Sequence, residues 1–486
     1  GWLLESVVGR RLFEGGRTVD TLRQPVVVLH PEASGERVTT GHGQFRLAGR
    51  PFYANGVNYW PRSRAGMEPG DLSGSWLGRL RYDPEVIERD LQMLEMLRIN
   101  LVSIQYMDPE TAPQLVDFLE RCRNHRILVN IFLDGGHPLT PDLPKVRQLI
   151  EAAGLARNPQ VFAYDLAWEP RLGRRAQRAS LDARWKDWIV EQYGSVERAG
   201  KDWGVAVPLT DDGQPASPSD EQITTDGEWR RMVAAYRRFA DDLIGRGYGE
   251  VARFVRSIDP NHLLGARTGF GGTGQAWPVP MMPFDLASGA AHLDFTSPEG
   301  YALAGDLDNY LAAGFTTEYG RFVSGGKPVF WAEFGLSIWP DTLSAQALEG
   351  QAEHYRKCYE MFRRSHANGS AAWWWPGGFR VEEVSDYGLV RQDCEPRPAA
   401  RVMAAEARRV DAAIRLPVAA GVIAIDRDRH VDGYAGVWVA AKDEYLCLLY
   451  TSDAADDLLC VDIGGRRIIQ QKKTNCCVVN TQYSGT

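Results

Sequence analysis

The sequence predicts an α/β fold, a closed (β/α)8 barrel with small β-containing flanking segments. Three observations carry that prediction. Short apolar strands alternate with amphipathic helices from about residue 45 to residue 410, the pattern of a parallel sheet covered by helices. Eight strand-like runs lie in that stretch, and eight strand–helix units over roughly 360 residues fit a barrel with insertions better than an open doubly wound sheet. The composition, 44% hydrophobic and 24% charged in 486 residues, is that of a globular chain long enough to bury a large core.

Taken in order, residues 1–42 read as an N-terminal extension or the remnant of a preceding β domain, with one strand in "QPVVVLHP". The barrel is assigned to residues 43–415. "QFRLAGRPFYANGVNYW" gives a strand, a tight turn at Ala48 and Gly49, and a second strand. Asp83 and Pro84 supply an N-cap and a first-turn proline, after which Ile87, Leu91, Leu94 and Leu97 recur at helical spacing. "NLVSIQY" is the next strand, "PQLVDFLERCRNHR" a helix, "ILVNIFLDG" a strand, "LPKVRQLIEAAG" a helix, and "VFAYDLAWEP" the fourth strand. The longest insertion, 171–229, holds a helical pair in "ARWKDWIVEQYGSVERAGKDWG". The strands "HLLGARTG", "LDFTSPEGY", "KPVFWAEFG" and "GSAAWWWPGG" follow, the last two separated by a helix carrying Leu348, Ala352, Tyr355, Tyr359 and Phe362. Residues 416–446 are expected to begin a further, truncated segment with a strand and a helix.

Residues 447–486 stand apart. Four of the seven cysteines lie there, and lysine, rare in the body of the chain, reappears in "QQKK". "CLLYTSDAAD" resembles the translation of a transposon-end sequencing adapter and "CVDIGGRRII" a second adapter, so this stretch is expected to be non-native and is set aside, as a fusion scar would be. Cys122, Cys358 and Cys394 then imply no disulfide framework.

A net charge of −8 and a pI near 5.7 argue against a polyanion-binding surface and hence against nucleic acid. No apolar run approaches the roughly 18 residues of a membrane span, and "GWLLESVVGRR" lacks the pattern of a signal peptide. The cytoplasm is therefore slightly favoured, with the true start expected to be missing because the chain lacks an initial Met. Homo-oligomer formation is left open.

In such a barrel the site is built at the C-terminal ends of the strands. Glu169 ends the fourth strand and Glu333 the seventh, and two carboxyls able to converge at the mouth are the minimum equipment for glycoside hydrolysis. Trp168 and Pro170 should desolvate Glu169 and raise its pKa, whereas Tyr301 should keep that of Glu333 low. Trp60, Trp277, Trp331, Trp339 and the run Trp373 to Trp375 lie at or near predicted strand ends, where aromatic faces suit pyranose rings; core filling accounts for about half of them. Arg267 ends the fifth strand as a candidate cation. The glycines Gly269, Gly271 and Gly274 satisfy a dinucleotide fingerprint, but "QAWPVPMMP" behind them offers no helix, so they form a loop. His354 and Cys358 are four apart on a helix without further ligands, a packed or exposed pair rather than a metal site. No metal and no cofactor are expected.

The chain from about Gly43 to Ala400 resembles the clan A glycoside hydrolases, retaining TIM-barrel enzymes. The likeness rests on "GRPFYANGVNYW", "AWEP", "EGY", "WAEFG" and "WWWPGG" with "SDYGLV". The insertion resembles a segment of family 42-type β-galactosidases. The resemblance implies Glu169 as general acid/base, Glu333 as nucleophile, Tyr301 as donor to the nucleophile and Trp375 as floor of the sugar site. Asn58, Trp60, Trp168 and Arg267 complete the expected substrate-binding set. Two positions depart from the clan pattern: Trp168 stands where Asn is usual, and Ser103 where an Arg is usual. The expected function is a retaining β-glycosidase acting on an oligosaccharide or polysaccharide, a β-galactoside or related β-glycan by preference. The alternative is a non-catalytic carbohydrate-binding barrel.

Overall fold

The computed structural model describes residues 2–9, 18–26, 35–61, 75–271, 274–275, 277–342, 344–381, 383–391, 394–412 and 421–456. Eight parallel strands form the central sheet: β1 (Ala54–Tyr59), β2 (Leu101–Tyr106), β3 (Leu128–Leu133), β4 (Val161–Trp168), β5 (Leu263–Arg267), β6 (Glu299–Gly300), β7 (Phe330–Phe334) and β8 (Gly369–Trp375). Their order is β5-β4-β3-β2-β1-β8-β7-β6. A parallel bridge between Arg267 and Ser297 joins the two ends and closes the sheet, so the predicted barrel is the observed one. The sixth strand is much shorter than "LDFTSPEGY" suggested.

The helices between strands follow from local chemistry. In α1 (Pro84–Met96), Asp83 Oδ1 accepts from the backbone N–H groups of Glu85 and Val86 at 3.0 and 3.1 Å, and Ile87, Leu91 and Leu94 are buried against the barrel. Helices α2 (Ala112–Asn124) and α3 (Leu143–Ala152) follow β2 and β3 with buried apolar faces of their own, and Asp142 caps α3 by accepting from the Lys145 N–H at 3.1 Å. The insertion supplies α4 (Asp182–Tyr193) and α5 (Val196–Trp203). Trp185 stacks on Trp188 and Trp203, centroids 5.5 and 5.7 Å apart, and meets edge-on Tyr236 of α6 (Arg230–Ile258), which anchors the pair to the barrel wall. Beyond β6 come α7 (Leu307–Ala313) and α8 (Phe315–Val323), beyond β7 α9 (Ala345–Arg364), and beyond β8 α10 (Pro398–Ala412).

The N-terminal end of the barrel is plugged. Ala48 and Gly49 take left-handed backbone at φ 54° and 71° and turn the strand Gln44–Leu47 into Arg50–Pro51. This hairpin sends Phe45 into a ring of residues at or near strand starts, Ala54, Leu101, Leu128, Phe162, Leu263 and Phe330, together with Phe295. Gly265 is required beside it, because a Cβ there would fall 2.3 Å from the Phe295 ring.

The flanks depart from expectation. Residues 2–26 contain two antiparallel strands, Trp2–Gly9 and Thr18–Val26. Only the first three residues of the predicted strand "QPVVVLHP" belong to the second, and its remainder lies outside the described residues. No strand forms over 421–426. Ile423 and Ile425 instead bury against Phe315, Tyr319 and the helix α11 (Tyr434–Asp456). Residues 447–456 continue α11, with Leu448 and Leu449 packed at the edge of that cluster; residues 457–486 are outside the description. Among the described residues no helix is long and apolar enough to cross a membrane.

Candidate active site

The C-terminal ends of β1, β2, β4, β6, β7 and β8, with the loops that follow β5 and β8, converge on a cleft of about 700 Å³, lined by Trp60, Gln105, Trp168, Glu169, Trp277, Tyr301, Glu333, Trp373, Trp374, Arg380, Glu383 and Tyr387. Glu169 follows β4 in a left-handed conformation, φ 46°. That backbone is unfavourable for a residue with a Cβ and is held by the surrounding structure. Glu333 sits within β7, 2% exposed. A third carboxyl, Glu299, is its register partner on β6 and is fully buried. One oxygen from each of Glu169, Glu299 and Glu333 lies within 4.8 Å of the others.

Arg267, at the end of β5, organises this end of the barrel. Its Nε donates to Asp165 at 2.7 Å and its Nη2 to Ser103 at 2.7 Å. Its Nη1 donates to Glu333 Oε1 at 2.6 Å and to Asn58 Oδ1 at 2.9 Å. The Trp168 ring lies over its guanidinium, 3.5 Å from the carbon to the ring centroid, a cation–π contact in a desolvated place. The other oxygen of Glu333 accepts from the Tyr301 hydroxyl at 2.6 Å. Ser103 on β2 thus accepts from an arginine of another strand, and the indole of Trp168 covers that guanidinium.

Burial raises the pKa of Glu169, as its aromatic and proline neighbours suggested. Burial raises Glu299 well above the carboxylate range, and the charges of Glu169 and Glu333 push it further. The expectation for Glu333 needs correction. Tyr301 and Arg267 both pull it down, but burial and the charge of Glu169 outweigh them and lift it to about 7.

Several expected site residues take other places. Arg267 is fully buried and spends its donors on protein groups, so it positions Glu333 instead of lining the cleft. Asn58 is likewise buried, gripping Arg267 and the Ala332 carbonyl. Trp375 is buried and pairs in register with Tyr59; Trp373 and Trp374 line the cleft in its stead. Trp60 lines the cleft as expected and meets Trp168, Trp373 and Trp374 edge-on. Trp331 fills the core, and Trp339 is 42% exposed outside the cleft lining.

Sequence reasoning missed Glu299, although "EGY" was in view, and it missed Gln105, whose buried Oε1 has no hydrogen-bond partner among the described residues. It also missed Arg380 and Glu383, an ion pair at 2.6 Å on the loop after β8.

The carboxyl trio is spaced closely enough to surround a cation, but the Arg267 guanidinium already supplies positive charge there and both oxygens of Glu333 are engaged. His354 is buried, its Nδ1 hydrogen-bonded with the Tyr310 hydroxyl at 2.8 Å, and Cys358 lies 3.5 Å from its Nε2.

No family model matches the chain, and no curated protein matches it. Solved structures do. The β-galactosidase of Rahnella sp. R3 superposes with a TM-score of 0.57 at 17% identity over 81% of this chain and 63% of its own. A GH5_18 variant from Streptomyces cattleya in complex with Manb1-4GlcNAc gives 0.52 at 16% identity over 82% and 92%. The β-galactosidase of the psychrophilic Marinomonas ef1 gives 0.51 at 16% over 78% and 64%. The chain thus spans a little under two thirds of the length of those two β-galactosidases, and what it shares with all three is the fold of a parallel eight-stranded barrel.

Proposed function

We propose that this chain is a retaining β-glycosidase working by double displacement without a cofactor. The observation that carries the reading is the pair Glu169 and Glu333, from β4 and β7, with oxygens within 4.8 Å of each other at the mouth of an aromatic-lined cleft. Oxygens that close favour the short carboxyl separation of retaining enzymes, roughly 5 to 5.5 Å, over the roughly 6.5 Å or more that seats an attacking water and gives inversion. Glu333 is aimed by Arg267 and Tyr301 and attacks the anomeric carbon. Glu169, partly exposed to the cleft and raised in pKa by burial, protonates the leaving oxygen and then removes a proton from the incoming water. Trp60, Trp168, Trp373 and Trp374 offer the aromatic faces against which sugar rings pack.

The solved neighbours include β-galactosidases and a GH5_18 structure holding a disaccharide. Together with the family 42-like insertion they favour a β-galactoside or related β-glycan. A panel of aryl β-glycosides tests the reading. Glu169→Ala should lower the rate on substrates with poor leaving groups by roughly 10² to 10⁴ and spare the first step on dinitrophenyl glycosides. Binding of oligosaccharides with no turnover of any member of the panel would make the chain a non-catalytic carbohydrate-binding barrel.

A further inference from the structure

Glu299 is the residue that the proposed reaction leaves unexplained. It is fully buried on β6, and among the described residues neither of its oxygens has a hydrogen-bond partner; one oxygen of Glu169 and one of Glu333 lie within 4.8 Å of one of its own. Two carboxylates held this close in a buried place, with no donor between them, repel each other, and a proton shared between them removes that repulsion. The charged groups facing Glu299 are Glu169 beyond β4, Glu333 on β7 and Arg267 on β5. Arg267 is committed to Asp165 and Glu333. An ionised Glu299 would be a buried charge without a counter-ion beside two further carboxylates, and close like charges cannot all ionise.

We propose that Glu299 is the proton-holding partner of Glu169, the two carboxyls forming a dyad that carries one shared proton across the neutral range. This rests on Glu169 being the acid/base. The charge balance closes through both steps. When a Glu333 oxygen forms its bond to the anomeric carbon, the bond to the leaving oxygen breaks with its electron pair, and that oxygen takes the proton of the dyad. Glu333 loses its negative charge in becoming an ester as the dyad gains one. In the second step water attacks the anomeric carbon and gives a proton to the doubly charged dyad, whose mutual repulsion makes Glu169 a stronger base, and Glu333 leaves as a carboxylate. Glu299 touches no reacting atom; it is a positioning residue that sets the proton affinity of its neighbour, and the apparent pKa values belong to the pair.

Glu299→Gln tests this, since the amide keeps the shape and cannot ionise. On a glycoside with a poor leaving group, the alkaline limb of kcat/KM should move to lower pH by about one unit or more, the scale on which carboxyl dyads separate. A uniform loss at all pH values with the limb unmoved would reduce Glu299 to packing and overturn the proposal. So would wild-type activity that is lost to a chelator and restored by a divalent metal, which would put a cation where the proton is placed. A second readout needs no turnover. At mildly alkaline pH the wild-type protein should show the infrared carbonyl band of a neutral carboxyl, lost in Glu299→Gln and kept in Glu169→Gln. Absence of that band from the wild type sinks the dyad, whereas its presence without hydrolysis of any glycoside would fault the proposed activity alone.

Discussion

The two ends of the barrel are built from the same strands and solve opposite problems. At the N-terminal end Phe45, Phe162, Phe295 and Phe330 meet with ring centroids 5.0 to 6.2 Å apart, mostly edge to face, the favoured arrangement for quadrupolar rings. At the C-terminal end the same sheet buries Asp165, Arg267, Glu299 and Glu333, holds Glu169 in left-handed backbone, and leaves Gln105 Oε1 and both oxygens of Glu299 without an ordinary donor. The difference teaches where each end invests. The closed end lowers the free energy of the fold, and the open end spends part of it to keep charges poised.

The sharpest way to break the comparison is to cut once at each end. Glu333→Ala should abolish turnover of every aryl glycoside while the protein still folds. Phe162→Ala should cost about 3 to 5 kcal/mol of stability and leave kcat of the folded fraction unchanged; urea unfolding alongside initial rates separates the two. A folded Glu333→Ala protein with substantial turnover, or a Phe162→Ala protein as stable as wild type, would erase the division.

Arg267→Met should couple both losses. It strands Asp165 and Glu333 as buried charges, so stability should fall by about 3 to 5 kcal/mol and activity with it. If stability is unchanged, the guanidinium is not the counter-ion of the open end.

The pH dependence of stability sharpens the contrast further. Glu333 rises from an ordinary 4.5 to about 7 in the folded protein, so the folded state holds a proton that the unfolded chain releases first. That contribution to stability is complete below pH 4.5 and is lost as pH rises through about 7. Glu333→Gln should therefore gain stability relative to wild type across this window, whereas Phe162→Ala should be shifted evenly at every pH. Parallel curves for wild type and Glu333→Gln would contradict the raised pKa.

The smallest effect expected is on specificity. The Trp168 ring lies over the Arg267 guanidinium, and an indole can donate but cannot accept, so it cannot read a sugar 2-hydroxyl as an amide side chain would, a contact worth several kcal/mol in the transition state. Removing that hydroxyl from a good substrate should cost less here than in an enzyme with Asn at this position. An equally severe penalty would show that another group, Gln105 foremost, reads it.

How much of this was legible beforehand follows the same division. The barrel, the capped helix behind Asp83 and the glutamates at the ends of β4 and β7 are local signals, written in periodicity and in what stops a strand. The roles of Arg267 and Asn58 are not, because Arg267 meets partners 66, 102, 164 and 209 residues away. Trp375 was misplaced because three consecutive tryptophans look alike in sequence, whereas the register shift between Ala372 and Trp375 decides which of them reach the cleft. Glu299 was overlooked because β6 is two residues long and its carboxyl matters only through neighbours on other strands. Strand-end position finds the residues at the mouth of the cleft, and long-range packing assigns those that hold them.

The central claim is that Glu333 and Glu169 carry out a double displacement, and the anomeric form of the first product tests it most directly. Proton NMR of a β-glycoside followed from the moment of mixing should show the β-anomer of the released sugar first, with the α-anomer growing in only as mutarotation proceeds. Immediate appearance of the α-anomer would mean a single displacement by water and would contradict the account.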